Sequence, residues 1–414
     1  MNTQLKILSV LKKCLLPAGL SCVMIPSIVF ASDVKQDSNS SELKSSKVKY
    51  PSATLEGRLQ LRGDIFEGVY THNSERETAT YIPRATIDLL GKLHKHWQYK
   101  FTVEMDEKDD VVLKTATLSY LFSKKNRVMI GHFKPDFGLE QTSSSSWITG
   151  IERSAIWELA PDLNDAADRH EYGIAGFYTQ KHLHLSTAML HKSLGSDWSV
   201  RAVIAPISHK NQVLHLGVSY LDERLKPNTE GINARLGVRG VSVDDNGNRT
   251  RLARDSKTTG FAGDRTSVVE FAYLLNGLSL QSEYLRRQLT GTGVQEDRTA
   301  TGNYVQIAYT LTGESRDYRL DGAKFNGITP KSKKWGAWEI FYRHDKLHVD
   351  GEVGLIKKNR SQSDASVDTL GVNWYITPKL RLSTNYLEAK TKGIVNDMGI
   401  DTGKALSIQT QFLF

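Results

Sequence analysis

The C-terminal stretch 405–414 reads ALSIQTQFLF, and its side chains alternate in character from one residue to the next. One face of a strand built from it is mainly apolar: Leu406, Ile408, Thr410, Phe412 and Phe414. The opposite face is small or polar: Ala405, Ser407, Gln409 and Gln411. A soluble edge strand that exposes phenylalanines at its tip invites aggregation, whereas a strand between lipid and water requires this pattern. The stretch therefore predicts the closing strand of a barrel that spans a membrane.

The same two-residue period recurs through the chain. Leu55, Leu59 and Leu61 alternate with charged or amide residues, and the pattern yields seventeen candidate strands from residue 53 onward. A barrel with both termini on one side needs an even number, so we expect Asp345-Lys346, where the apolar phase slips, to be a β-bulge inside one strand. The predicted fold is all-β, a transmembrane antiparallel β-barrel of about 16 strands.

The N-terminal region predicts export. Residues 1–31 combine three lysines with a mostly apolar run and end in a small residue, as cleaved secretory signals do. Both cysteines, Cys14 and Cys22, lie inside this segment, which excludes a disulfide scaffold or a thiolate site from the remainder. Residues 32–50 are rich in serine and lysine and predict a flexible periplasmic segment, so the barrel domain is expected at 51–414.

Two connections are too long for simple linkage, 134–171 and 221–266, and merging the strands at Asp345-Lys346 makes 312–336 a third long connection. Long loops in a compact architecture are usually functional, and a sixteen-stranded barrel holds water unless something folds inside it. The third is unusual because it falls on the side where the other links are short turns.

The charges and hydroxyls of the expected lumen favour anions. The chain carries a formal net charge of +8, and the sign of charge along a pore decides which ions enter. Basic residues fall at strand positions that the alternation turns toward the lumen, or in the long connections: Arg58, Arg62, Arg84, Arg201, Arg235, Arg239, Arg319, Lys324 and Arg381. In the stretch 137–150, FGLEQTSSSSWITG, the hydroxyls of Ser143, Ser144 and Ser145 can replace the hydration shell of an anion.

Several ungapped motifs in fixed order resemble one family. They begin with RATI at Arg84 and continue through the segments 130–153, 309–325, 336–343 and 370–376. Together they are similar to the phosphate-selective porins of the O/P type. The resemblance implies a bacterial outer-membrane porin, a homotrimer of barrels that passes phosphate and other small anions passively. It also implies that the three long connections bend inward and narrow each lumen. It implies no enzymatic activity, no cofactor or metal, and no nucleic-acid partner.

The resemblance also assigns residues by matching position. The anion-binding serines fall on Ser144 and Ser145, and a constriction arginine falls on Arg84. Inward basic residues of the third long connection fall on Arg319 and Lys324. Members of an arginine ladder at the entrance fall on Arg235 and Arg239.

Four positions depart from the family pattern. Gln141 stands where phosphate-specific members carry lysine, Pro83 stands where they carry arginine, and Gly231 and Asn233 replace two ladder arginines. A unit charge about 4 Å from an anion is worth about 4 kcal/mol at an effective dielectric of 20, so each loss weakens anion binding. The sequence predicts anion passage and leaves phosphate selectivity open.

Three other functions are alternatives to an anion channel. The first is a general diffusion porin whose anion site has decayed. The second, a barrel enzyme, needs a nucleophile paired with a histidine base, and the twelve histidines show no such pairing in sequence. The third is a surface receptor, which rests only on the long loops and is compatible with a pore.

Overall fold

The computed structural model describes residues 49–106, 110–161, 170–192, 195–225, 232–243, 245–252, 260–293, 296–350, 362–392 and 401–414. The predicted export signal at 1–31 and residues 32–48 of the expected periplasmic segment lie outside the described residues. Within the described ranges, no helix is both long enough and apolar enough to cross a membrane.

Almost all regular structure is β. In chain order the strands are β1 (Ser52–Gly68), β2 (Glu77–His94), β3 (Trp97–Asp106), β4 (Val111–Leu121), β5 (Arg127–Phe133), β6 (Glu171–Gln180), β7 (Leu183–Lys192), β8 (Gly195–His209), β9 (Gln212–Arg224), β10 (Asn233–Ala234), β11 (Thr250–Arg251), β12 (Phe261–Leu275), β13 (Leu278–Gly291), β14 (Arg298–Thr310), β15 (Tyr318–Arg319), β16 (Lys324–Phe325), β17 (Ala337–Asp350), β18 (Gln362–Thr377), β19 (Leu380–Lys392) and β20 (Thr402–Leu413).

Sixteen of these strands close into one antiparallel barrel, as the alternation predicted. The remaining four pair as short hairpins, β10 with β11 and β15 with β16, inside two of the long connections. The barrel closes where β1 pairs with β20 over eleven residue pairs from Arg58 to Gly68. Two-residue turns such as 95–96, 181–182 and 276–277 mark one end of the barrel, here called the turn end; the opposite end is the loop end.

The two faces of the wall follow the predicted alternation. On β1, Leu55 and Leu61 are 61% and 50% exposed on the outer face. On β20, Phe412 is 46% exposed on that face, while Gln409 and Gln411 are buried on the lumen side. Because lipid contacts the outer face and polar groups fill the inner one, each strand is amphipathic with period two.

The predicted β-bulge at Asp345-Lys346 was wrong. β17 is a single strand, as expected, but its pairing with β14 and with β18 runs through Asp345-Lys346 without a register shift. The apolar phase changes there because Leu347 and Val349 face inward and are buried in a core that also contains Ile156. At the loop end, part of the lumen is therefore occupied by apolar packing between wall and loops.

A bulge does occur on β2, at the proline. Gln60 pairs with Arg84 and Arg62 pairs with Tyr81, so Ile82 and Pro83 together oppose one residue of β1. Proline has no N–H to donate to the ladder and is confined to such irregularities within sheets. The extra residue lets both Tyr81 and Arg84 be buried on the lumen side although they are three positions apart.

The three long connections bend into the lumen as predicted. The connection after β5 holds a one-turn helix, Leu139–Thr142, and a 3-10 turn, Ala155–Glu158. The connection after β9 holds a second 3-10 turn, Arg239–Ser242, whose Gly240 amide donates to Asp64 on the inner face of β1 at 2.9 Å. The connection after β14 enters from the turn end.

Candidate functional site

The connection after β5, residues 134–161 of the described chain, forms the centre of the site. Its one-turn helix begins against the wall, because Glu283 on β13 accepts from the amides of Leu139 at 2.6 Å and Glu140 at 3.1 Å. The Gly138 amide donates to Ser219 on β9 at 3.0 Å. Gly138 has φ 69°, and a Cβ there would lie 2.1 Å from the ring of Trp157. Only glycine fits this turn without strain.

Three wall residues and Arg316 of the connection after β14 then hold four consecutive carbonyl oxygens of this loop. The donors differ: Gln411 Nε2 to Ser146 O at 3.2 Å, Arg316 Nη1 to Trp147 O at 2.5 Å, Arg381 Nη1 to Ile148 O at 3.1 Å and Asn373 Nδ2 to Thr149 O at 2.9 Å. Unpaired carbonyls inside a barrel are costly, so these contacts fix the loop against the wall. Arg381 is thus mainly a positioning residue of the loop.

The serine run is divided among different tasks. Ser145 and Ser146 turn their hydroxyls to Arg58, whose Nη1 lies 2.7 Å and 3.0 Å from the two oxygens. The Ser143 hydroxyl donates back to Leu139 O at 2.8 Å and completes the helical turn. Ser144 is exposed, and its oxygen accepts from the Ser146 amide at 3.3 Å. Ser144 is therefore the exposed hydroxyl of the run, whereas Ser145 and Ser146 are buried against Arg58 and Ser143 serves the fold.

Arg58 belongs to a polar row that crosses the first four strands. Its Nη2 donates to Thr86 at 2.9 Å and lies 3.2 Å from Glu104, and Lys114 lies 3.6 Å from the same carboxylate. The sequence placed Arg58 in the lumen but did not assign it to the anion site. The row carries two cations and one carboxylate, so it is net positive beside the serine hydroxyls.

Gln141, the position that departs from lysine, has a lysine as its neighbour in space. Lys134 Nζ contacts the Gln141 amide oxygen, seven residues along the chain. Gln141 is buried, and Lys134 is half-buried. A positive charge is thus present at the end of this side chain even though residue 141 is neutral, and only the folded loop reveals it.

Toward the loop end, one carboxylate draws three arginines together. Glu152 Oε1 lies 2.5 Å from Arg62 Nη1, 3.1 Å from Arg239 Nε and 3.8 Å from Arg84 Nη1. These arginines come from β1, from the connection after β9 and from β2, so the fold assembles the group from three separate parts of the chain. We call Glu152 with these three residues the arginine cluster.

Arg235, the second predicted ladder residue, lies beside this cluster. Its backbone amide and that of Leu236 donate to Glu158 Oε2 at 2.5 Å and 2.9 Å. Burial raises the pKa of Glu158, although Arg235 and these amides oppose the change. Asp64 is similarly engaged, by the Tyr81 hydroxyl at 2.6 Å and by the amide of Gly240.

The connection after β14 supplies a second basic region at the turn end. Arg319 is exposed and pairs with Asp321 at 2.5 Å. Lys324 is half-buried, and burial lowers its pKa although Asp136 opposes this. Lys100 on β3 has its side chain 48% exposed and lies 3.1 Å from Asp88. The lysine and arginine predicted here face water more than the arginine cluster does.

Arg201 anchors that connection. It forms a bidentate pair with Glu270 on β12 at 2.9 Å and 2.7 Å, and it donates to Gly322 O at 3.2 Å and Ala323 O at 2.8 Å. All its polar contacts are to protein and it is fully buried. Arg201, which the alternation placed in the lumen, therefore positions the connection.

The predicted site residues thus fall into groups at different levels. Arg84 and Arg239 join in the arginine cluster with Arg235 beside them, Gln141 and the serines lie on the central loop, and Arg319 with Lys324 lies toward the turn end. Sequence reasoning missed Lys134, Glu104, Lys114 and Glu152. Glu152 was visible only as one acid within a matching motif, and no local signal marks it as the centre of three arginines.

Comparison with known proteins agrees with this architecture. Residues 54–414 match the family model of phosphate-selective porin O and P. Porin O of Pseudomonas aeruginosa is 35% identical over 395 residues, which cover 88% of each chain.

Two solved structures illustrate the shared fold. An anion-selective porin from Comamonas acidovorans aligns with a TM-score of 0.56 at 11% identity, over 88% of this chain and all of the other. The outer-membrane channel DcaP of Acinetobacter baumannii aligns with a TM-score of 0.55 at 10% identity, over 90% of this chain and all of the other. At such identities the likeness shows the barrel fold alone. The extended family match and the relative at 35% identity settle the rest: this chain is an outer-membrane porin and belongs to the phosphate-selective porin O and P family.

Proposed function

We propose that this porin is an anion-selective channel for the passive diffusion of phosphate and similar small anions. The observation that carries the proposal is the arginine cluster: Arg62, Arg84 and Arg239 form ion pairs with the single carboxylate of Glu152. Among the described residues, this group holds three arginines and one carboxylate. Counted with Arg235, Asp64 and Glu158, the described residues of this region supply four arginines and three carboxylates.

The row behind the serines supports the same function. Arg58 and Lys114 face one carboxylate, and the hydroxyls of Ser145 and Ser146 lie within hydrogen-bond distance of the Arg58 guanidinium. Planar guanidinium groups with adjacent hydroxyls match the oxygens of phosphate and related oxyanions. An anion that loses part of its hydration shell in the narrow lumen can accept hydrogen bonds from these hydroxyls as well as from the charged groups.

The proposal includes a homotrimer that works without catalysis or cofactor. Family membership supports it, as does the solved trimer form of OmpT from Vibrio cholerae, which shares the barrel fold with a TM-score of 0.55 at 10% identity. Chemical cross-linking of purified protein in detergent, read by mass, is expected to give three linked copies as the largest product. A product limited to one copy would remove the trimer from the proposal.

Added phosphate tests the substrate class. Chloride current through single channels in a planar bilayer is recorded while phosphate, pyrophosphate or sulfate is added. We expect phosphate to reduce the chloride current in the millimolar range because it competes for the same donors. An unaffected chloride current would instead identify a general diffusion porin, the function that the departures at Gln141 and Pro83 favour.

A further inference from the structure

Glu152 is the least expected member of the lumen. A carboxylate offsets the attraction of arginines for anions, yet the Glu152 side chain lies, 12% exposed, at the centre of three of them. Burial opposes its ionisation, but Arg239, Arg62 and Arg84 outweigh burial and hold the pKa of Glu152 well below its usual range. The group is therefore ionised whenever the channel works near neutral pH.

The backbone on both sides of Glu152 is held independently of the carboxylate. Arg343 Nη1 donates to Glu152 O at 3.1 Å, and Arg343 Nη2 donates to Arg153 O at 3.4 Å. The Arg153 side chain in turn donates to the carbonyls of Glu140 at 3.2 Å and Ser143 at 3.0 Å. The carboxylate can thus be altered without removing the contacts that fix the loop.

A carboxylate among arginines has the same acceptor geometry as a bound oxyanion. Carboxylate and phosphate both accept paired N–H bonds from guanidinium groups, so each can satisfy the same donors. Glu152 is the carboxylate that the three guanidiniums share, so its neutralisation would let a permeating oxyanion bind them more tightly. Tight binding lowers flux, because conduction requires that an ion leave a site as readily as it enters.

We propose that Glu152 is a specificity-determining residue of this channel: its carboxylate occupies the arginine cluster as a built-in anion and keeps permeating oxyanions from being retained there. This role rests on the proposed anion-selective function. A passing phosphate shares the arginines with Glu152 or displaces it and is then expelled as the carboxylate returns. No bond is made or broken, and only hydrogen-bond partners exchange.

The test compares Glu152→Gln with two other variants. Glu152→Asp keeps the charge, and Glu67→Gln alters an exposed carboxylate whose partner, Arg76, lies 3.2 Å away on the surface. Phosphate is titrated against single-channel chloride current, and the concentration for half block is measured. We expect Glu152→Gln to lower that concentration about tenfold or more, because it leaves the arginines without their internal anion. Glu152→Asp and Glu67→Gln should stay within about twofold of wild type.

Heat stability gives a second readout. Phosphate should raise the unfolding temperature of Glu152→Gln more than that of wild type, because bound phosphate replaces the missing acceptor. An unchanged or weaker phosphate block in Glu152→Gln would overturn the proposal. So would a larger chloride conductance with loss of block, which would show that Glu152 only holds the loop.

The wild-type reversal potential, measured in the same bilayers, separates the two proposals. A cation preference there would reject the proposed function whatever Glu152→Gln does. Anion preference in wild type together with an unchanged Glu152→Gln would reject the role of Glu152 alone.

Discussion

Glu283→Ala should release the central loop from the wall. The Glu283 carboxylate accepts three buried hydrogen bonds: from Leu139 N at 2.6 Å, Glu140 N at 3.1 Å and the Tyr304 hydroxyl at 2.7 Å. The two amides belong to the loop, whereas Tyr304 is on β14, so two of these bonds hold the loop to the wall. A buried donor left without an acceptor costs about 1–3 kcal/mol, so the docked loop loses at least about 2 kcal/mol. That shifts the docking equilibrium by roughly 30-fold or more.

Single-channel conductance and heat stability measure this loss. We expect Glu283→Ala to conduct more current per channel, with larger fluctuations, and to unfold at a lower temperature. Glu283→Gln keeps one acceptor oxygen, so its effect should be intermediate. Glu388→Ala is the control, since the Glu388 side chain is 44% exposed and lies 3.8 Å from Lys404. Wild-type conductance and wild-type stability in Glu283→Ala would refute the idea that Glu283 anchors the loop.

Three further changes test other parts of the site. Gln141→Lys places a second ammonium beside Lys134 and should lower the phosphate concentration for half block of chloride current; no change would exclude residue 141 from the ion path. Gly138→Ala should lower the unfolding temperature more than Gly313→Ala. Both glycines have positive φ, 69° and 80°, so both substitutions strain the backbone. Only at Gly138 does the added Cβ also meet an indole ring, because nothing lies within 4 Å of a Cβ at Gly313. Equal losses would show that backbone strain alone matters. Burial lowers the pKa of Lys324, so this lysine should lose its charge below the usual lysine range, and anion preference should weaken as pH rises through that interval. The anion preference of Lys324→Arg should stay constant over the same interval, because arginine keeps its charge. Parallel pH profiles of wild type and Lys324→Arg would contradict this.

The wall of the barrel was predictable because its signal is local. Every strand faces lipid on one side, so pairs such as Leu61 and Arg62 reveal the orientation without knowledge of any partner. Where the alternation failed, the cause was distant in sequence. Leu347 and Val349 are apolar on the lumen face because they pack in one core with Ile156 and the other loop residues.

The position of the site was predictable, but most of its contacts were not. Matching motifs located the central loop, but its chemistry depends on contacts between residues far apart, such as Arg58 with Ser145, 87 positions later. The arginine cluster draws on four parts of the chain, so Glu152 could not be recognised from its neighbours in sequence. Lys134 likewise restores a charge beside Gln141 that a comparison of single positions counts as lost.

The most direct measurement of anion selectivity is the reversal potential of the wild-type channel in a planar bilayer across a KCl gradient. The positive excess around Glu152 and Glu104 predicts a potential close to the chloride equilibrium value. A potential close to that of potassium would contradict the account, because the clustered arginines would then not control which ions pass.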